Sequence, residues 1–387
     1  MADESGTLEG TLPQPEAPSP KQANKIKATV LGTVSGQPPV VFHNKTQQVA
    51  LVHVGNLNFD QHIRLYKVGD FNNFKKYDGS YQSYLAFYPN GKMLVSTDAS
   101  MGDAINGGWR IRGRVGVIDE GKATGFPFRA EFNYGTGLHG SKLVALSPLG
   151  GFMALIDGSQ EGIIYLVDFA STYKHPPLHE KAVTKFESFL KLGINDKEFK
   201  TTALKWAPDG KFIAQAGFLS SWQSKASKPC LLNLIQITRN EAGVSVFGPY
   251  GQIPLGEIVN ESEALPLKAI AFSPDSSMVL IGGSPSAPLK LIDIKEKQIV
   301  LTVPYEHGSI TALAFDEKTE QLISGDDRGN LGLWQLSREA EKIILQLEDL
   351  HHCSGEILAV CTHADQAPAF FAERGANKTV NIGRIDY

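Results

Sequence analysis

The chain has 387 residues, with 37 Lys and Arg against 41 Asp and Glu, so its formal charge is −4 with His neutral. This balance, with no Lys/Arg block anywhere, argues against broad binding to nucleic acid or an anionic membrane surface, and no apolar run approaches the ~20 residues that a bilayer-spanning helix needs. With 38 Gly, and 20 Phe against 11 Tyr, the composition is rich in turn and β formers and points to many short strands.

In chain order, residues 1–24 are acidic and then Pro-rich (Pro13, Pro15, Pro18, Pro20), with no apolar pattern to offset the entropy of ordering. They are expected to form a disordered tail. The opening Met-Ala-Asp-Glu-Ser-Gly lacks the basic and apolar regions of a secretory signal. Cys230, Cys353 and Cys361 cannot all pair, which suits a reducing compartment, so a cytosolic protein is expected.

From about Lys25 onward a pattern recurs: an apolar strand, a Pro/Asp/Asn/Gly turn and a second apolar strand. It runs Tyr84–Phe87 to Met93–Ser96, Leu143–Leu146 to Phe152–Ile156, Thr202–Trp206 to Phe212–Ala216, and Leu267–Phe272 to Met278–Gly282. Two degenerate copies follow, Ile310–Phe315 to Leu322–Gly325 and Ile357–Cys361 to Phe370–Ala372, and an upstream copy keeps only Val49–Val54 after its turn. Pro-Asp-Gly suits a tight strand connection, because Pro fixes φ and Gly two residues later permits a left-handed backbone. Each copy continues to a third strand, as at Gly113–Asp119, Leu289–Asp293 and Thr379–Asp386, and several to a less apolar fourth, clearest at Gln298–Val303. Four-stranded units repeated seven times are the material of a β-propeller.

The sharpest copy reads His307-Gly-Ser-Ile-Thr-Ala-Leu-Ala-Phe and then Leu322-Ile-Ser-Gly-Asp-Asp-Arg-Gly-Asn-Leu-Gly-Leu-Trp334. It resembles the WD-repeat β-propeller family nearly position by position, and the likeness extends over about residues 26–387. The resemblance implies an all-β chain with a single seven-bladed β-propeller over residues 25–387. It places the family's structural hydrogen-bond tetrad on His307, Ser324, Asp327 and Trp334, and His139 matches the family's loop histidine in another copy. Elsewhere the chain diverges, with Tyr165, Ile237 and Ile292 where the family would have Trp. The last repeat stops after three strands, and the orphaned, alternating Ile26–Thr33 segment would complete that blade and close the ring, as the family's end-clasp implies.

No residue pattern assigns a catalytic, cofactor or metal role. Gly116-Val-Ile-Asp-Glu-Gly-Lys-Ala123 fits phosphate-loop spacing but ends in Ala where Mg²⁺ binding needs a hydroxyl, and Thr124-Gly-Phe-Pro cannot begin a long helix. His351, His352, Cys353, Cys361 and His363 cluster in sequence, but the repeat register puts Cys361 at the end of a core strand and His363 in the turn at the opposite face. His175 and His179 are separated by two prolines, which forbid the helix that would align them. Asp119, Asp168 and Asp293 close equivalent strands and read as repeat features.

The insertions carry the most functional information. From Lys25 onward the chain averages about 52 residues per repeat, against about 40 to 45 in a strict member. The excess is expected in the segments Thr97–Arg110, Leu192–Lys200, Phe218–Pro229 and Tyr250–Pro266, which a propeller would open on one face. They carry Trp109 beside Arg110, and Trp222 among serines, residue types that dominate binding hot spots. Phe218 and Tyr250 extend the set. The expectation is a non-catalytic scaffold that binds a protein or peptide there; the other reading of Trp109 and Trp222 is that both rings fold back onto their own blades. Two rival functions remain, an enzyme with its site at the central channel mouth and a small-ligand or carbohydrate binder using the same loops.

Overall fold

The computed structural model describes residues 26–43, 45–54, 61–78, 82–87, 93–101, 111–119, 128–133, 143–149, 152–157, 160–168, 190–193, 199–219, 228–241, 245–258, 267–285, 287–316, 318–339, 342–362 and 368–387. The expected tail at 1–24, and Trp109, Arg110, His139, His175, His179, Trp222 and His363, lie outside these residues.

Among the described residues every regular element of any length is a strand. The first, β1 (Lys27–Ser35), is followed by β2 (Gln37–His43), β3 (Gln48–Val54), β4 (Gln61–Lys67) and β5 (Asp70–Asp78), which form one antiparallel sheet in chain order. A second sheet joins β6 (Gln82–Phe87), β7 (Met93–Met101), β8 (Ile111–Asp119) and β9 (Phe128–Asn133). The third holds β10 (Leu143–Leu146), β11 (Phe152–Asp157), β12 (Gln160–Asp168) and β13 (Leu190–Gly193), and the fourth β14 (Phe199–Trp206), β15 (Phe212–Leu219), β16 (Lys228–Arg239) and β17 (Ser245–Ile258). The fifth comprises β18 (Ile270–Phe272), β19 (Met278–Ile281), β20 (Leu289–Asp293) and β21 (Gln298–Val303). The sixth comprises β22 (Ile310–Phe315), β23 (Gln321–Asp326), β24 (Asn330–Glu339) and β25 (Lys342–His352). The seventh four-stranded sheet among the described residues runs β26 (Ile357–Cys361), β27 (Ala369–Arg374), β28 (Thr379–Asp386) and then β1, which pairs with β28 from Lys27↔Asp386 to Ser35↔Thr379. Each sheet's first strand lies beside the first strand of the next, and β26 lies beside β2.

Local chemistry fixes the turns. In the Ala207-Pro-Asp-Gly turn, Gly210 takes φ +71°, its N–H donates to Ala207 O, and Asp209 Oδ1 accepts from Lys211 N. Ser276 holds the same left-handed place at φ +58° in the next sheet, and its Oγ accepts from Asp209 N across the sheet boundary at 3.1 Å. Further bonds lock neighbouring sheets: Trp206 Nε1 to Ala145 O at 2.9 Å, Thr202 Oγ1 to Leu267 O at 3.0 Å, and Thr362 Oγ1 to Phe315 O at 2.7 Å. The apolar clusters sit between sheets. One cluster joins Val34 of β1 and Val380 and Ile382 of β28 to Val40, Val49 and Leu51 of the first sheet.

Some strands run longer than the sequence suggests. Tyr250–Pro266 reads as a connection because of Pro249, Gly251, Pro254 and Gly256, yet residues 245–258 form β17. An outermost strand pairs on one side only, so Pro costs it no ladder bond, and the bend at Gly256 (φ +106°) is absorbed beside a register shift against β16. Likewise β7 continues to Met101 and β13 occupies Leu190–Gly193, where Thr97–Arg110 and Leu192–Lys200 read as loops. The first sheet also gains β2, hidden in the sequence by Pro38 and Pro39.

Candidate functional site

Two regions organise the described surface: the sheet ends where second strands turn into third strands, and the innermost strands. At the first, the sixth sheet is built around Trp334 and Ser324, exposed by only 1% and 0%. Trp334 Nε1 donates to Ser324 Oγ at 2.9 Å. Asp326 is fully buried and collects four donors, Tyr305 O–H at 2.8 Å, Asn330 Nδ2, and the N–H groups of Arg328 and Asn330. Burial and the adjacent Asp326 carboxylate push the Tyr305 phenol well above its ordinary range. His307 is exposed and meets the Tyr305 ring edge-on at 5.3 Å, while Asp327, also exposed, accepts from Ser309 N at 2.8 Å. The connection entering this sheet, its second turn and its third strand are thereby tied together.

Other sheets perform the same task with different residues. In the seventh, Glu373, 1% exposed, accepts from Ser354 N and Oγ, Gly355 N and Asn381 Nδ2. In the fourth, buried Gln215 donates to Gly162 O and Thr201 Oγ1 at 2.8 Å each and accepts from Asn233 Nδ2 at 3.0 Å. Buried polar groups that are fully partnered rigidify the strands and turns on which they sit. No family motif singles out Tyr305, Asp326, Gln215, Asn233 or Glu373. The available signal is a polar residue inside an otherwise apolar strand or at its last position.

Phe218 lies one residue from the end of β15, 6% exposed, in a core cluster with Cys230 and Leu232, directly before residues 220–227. Tyr250 lies within β17, its ring 5.1 Å from that of Phe212 and 4.1 Å beneath Lys297 Nζ. Phe212 begins β15 and Phe218 is near its end, so the structure places Phe218 and Tyr250 toward opposite ends of the fourth sheet.

At the opposite end from the second turns, a cleft of about 200 Å³ between the fifth and sixth sheets is lined by Pro274, Asp275, Phe315, Lys318, Glu320 and Arg338. Arg338 reaches Asp275 at 3.4 Å and Glu320 at 3.8 Å. Burial works to raise the Asp275 pKa, but hydrogen bonds from Ser273 and Ser277 and the Arg338 charge outweigh it and hold the carboxyl at about 2. The cysteines of the sequence cluster do not converge. Cys353 precedes β26 and Cys361 ends it, and no group of three His, Cys, Asp or Glu side chains among the described residues is arranged to hold a metal ion.

The innermost strands share one register, because in each sheet a residue just before the first turn pairs with the start of the second strand, as in Phe42↔Val49, Trp206↔Ile213 and Phe315↔Leu322. One position earlier the equivalents are Val41, Ala86, Ala145, Ala271, Ala314 and Val360, and in the fourth sheet Lys205. Lys205 is solvent-accessible, yet desolvation lowers its amine pKa.

No family model matches the chain, and no curated protein matches its sequence. Among solved structures, a chain of the crystal structure of a Mitotic Checkpoint Complex aligns with a TM-score of 0.58 at 14% identity, covering 98% of this chain and 98% of that one. The likeness is one of fold. Among the described residues the antiparallel four-stranded sheets fit a β-propeller. Solved chains in this match number 1281, and a fold so widely shared does not select a function. Among the described residues no helix is long and apolar enough to cross a membrane.

Proposed function

We propose that the protein is a non-catalytic, cytosolic protein-interaction scaffold built as a closed seven-bladed β-propeller, with β1 completing the last blade. The observation that carries the scaffold reading is the occurrence of Trp109 beside Arg110 and of Trp222 in inserted segments, and the full-length likeness to a chain of a multi-protein complex agrees with it. The pinned sheet ends at Asp326 and Glu373, with Gln215 pinned inside β15, give it a rigid platform. The binding face is the one onto which residues 102–110, 194–198, 220–227 and 259–266 open. Trp109, Arg110 and Trp222 anchor a protein or peptide there, each combining a large contact area with a polar handle. Phe218, buried near the end of β15, fixes the strand end that leads into residues 220–227, and Tyr250 stiffens the outer strand of the same blade from its far end.

The test is an affinity capture from native lysate with the intact chain and with a Trp109→Ala/Trp222→Ala double variant of unchanged melting temperature. Loss of one dominant protein from the variant is the expected result. Full retention of the captured proteins would remove those residues from the binding face.

A further inference from the structure

Near the ends of their second strands the sixth and seventh sheets carry the carboxylates Asp326 and Glu373. At the same place the first sheet has two imidazoles, the side chain whose charge ordinarily changes between pH 5 and 8. His53, next to last in β3, is in register with His62 of β4, and their rings lie 4.7 Å apart at 44°. His62 is 3% exposed, and Arg64 Nε–H donates to its Nε2 at 3.0 Å. A nitrogen that accepts from a guanidinium carries no proton of its own, so His62 is neutral in this arrangement. The guanidinium is also held from its other side, 4.4 Å from the centre of the Phe74 ring. His53 continues the connection, with Nδ1 3.2 Å from Ser35 Oγ and 3.3 Å from Ser35 O at the end of β1. There the chain passes from the seventh sheet to the first. Gly36 N donates to Lys378 O at 2.9 Å, and a Cβ at Gly36 would overlap Leu51 of β3.

We propose that His62 is a proton-sensitive tie between the first and seventh sheets: a proton taken up at its Nε2 displaces Arg64 Nε–H and loosens the end of β1. Two donors would then face each other at 3.0 Å, both cationic and one of them buried. The other charged groups on the packed elements are few. Lys76 and Asp78 of β5 hold the register places opposite Arg64 and His62. On the seventh sheet stand Lys378, next to the Gly36 contact, and Arg374, two residues from Ala372 of the shared cluster and 2.9 Å from Glu356. Below about 6.5, the ordinary imidazole value, the unfolded chain binds a proton that native His62 can accept only by giving up Arg64. The stability that this tie contributes is therefore present above that value and lost as pH falls below it.

Urea unfolding of the full chain at pH 7.5, 6.5 and 5.5 tests the proposal in wild type and in His62→Gln, whose amide oxygen can still accept from Arg64 but does not titrate. From pH 6.5 to 5.5 the wild-type folding constant should fall about fivefold more than that of the variant. Should His62→Gln fail to fold, Arg64→Met, which leaves Nε2 open to a proton, should flatten the profile in the same way. Hydrogen exchange at the Gly36 amide, corrected for its intrinsic pH dependence, locates the effect: its protection should drop in acid in wild type and hold in the variant. Parallel pH profiles for wild type and variant overturn the proposal. So does a wild type that gains stability in acid relative to the variant, the result expected if Asp78 offsets the added charge, and so does a drop in Gly36 protection that persists in the variant.

Discussion

Substituting Val34 tests whether β1 is an integral strand of the seventh sheet. Val34 is 4% exposed, pairs with Val380 of β28, and joins the cluster that bonds the seventh sheet to the first. Val34→Ala removes two buried methyl groups, worth about 0.8 kcal/mol each by transfer. A partly retained void adds to this, as in Ile→Val series that cost about 0.5–1.5 kcal/mol for one methyl. The expected loss is therefore about 2 kcal/mol. Leu31 on the same strand is larger but 42% exposed, at the bulge between Val30 and Gly32, so Leu31→Ala should stay within about 0.5 kcal/mol of wild type. Urea unfolding followed by tryptophan fluorescence, read as a midpoint shift at constant slope, measures both. A Val34→Ala midpoint that matches wild type or Leu31→Ala would refute the reasoning, because a detached β1 makes both changes neutral.

Further expectations follow from single contacts. Ser324→Ala leaves the buried Trp334 N–H without its acceptor and should cost about 1–3 kcal/mol, measured by the same urea series. Gly210→Ala forces a Cβ at φ +71° to within 2.7 Å of Leu149 Cδ1, for a loss of about 1–2 kcal/mol in thermal unfolding. With its native pKa held at about 2, below the ordinary 3.8, Asp275 contributes stability that is present above the ordinary value and lost as pH falls through about 2. Acid unfolding of Asp275→Asn should therefore show a flatter pH dependence between about 4 and 2 than wild type. Burial, joined by Glu373 and Asp326, lifts the Cys353 thiol to about 12, and burial lifts Cys361 to about 12 and Cys230 to about 11. Native protein at pH 8 should then react slowly with a thiol reagent and denatured protein quickly.

Much of the strand order was legible because inner strands are short apolar runs, several of them bounded by Pro-Asp-Gly-type turns. Leu143–Leu146, Ile310–Phe315 and Ile357–Cys361 coincide with β10, β22 and β26 residue for residue. Gln298–Val303 matches the outer strand β21, but Asp70–Asp78 and Ser245–Ile258, which also pair on one side only, carry polar, Gly or Pro residues that read as loop. At the sixth sheet the WD-like motif points to His307, Ser324, Asp327 and Trp334. There the Asp326-Asp327 doublet hides which carboxylate is buried, and only the three-dimensional pairing brings Tyr305 onto Asp326. Lys205 reads as one more residue of an apolar strand until the register aligns it with six apolar equivalents.

The binding face is tested most directly by photo-crosslinking in native lysate from benzoylphenylalanine placed at position 109, at 222, or at 297 as a control. Lys297 packs over Tyr250, toward the end of the fourth sheet remote from Phe218. The account predicts adducts with one shared protein from positions 109 and 222 and none with it from 297. An adduct from 297 with silence at 109 and 222 would put the partner on the other face and contradict it.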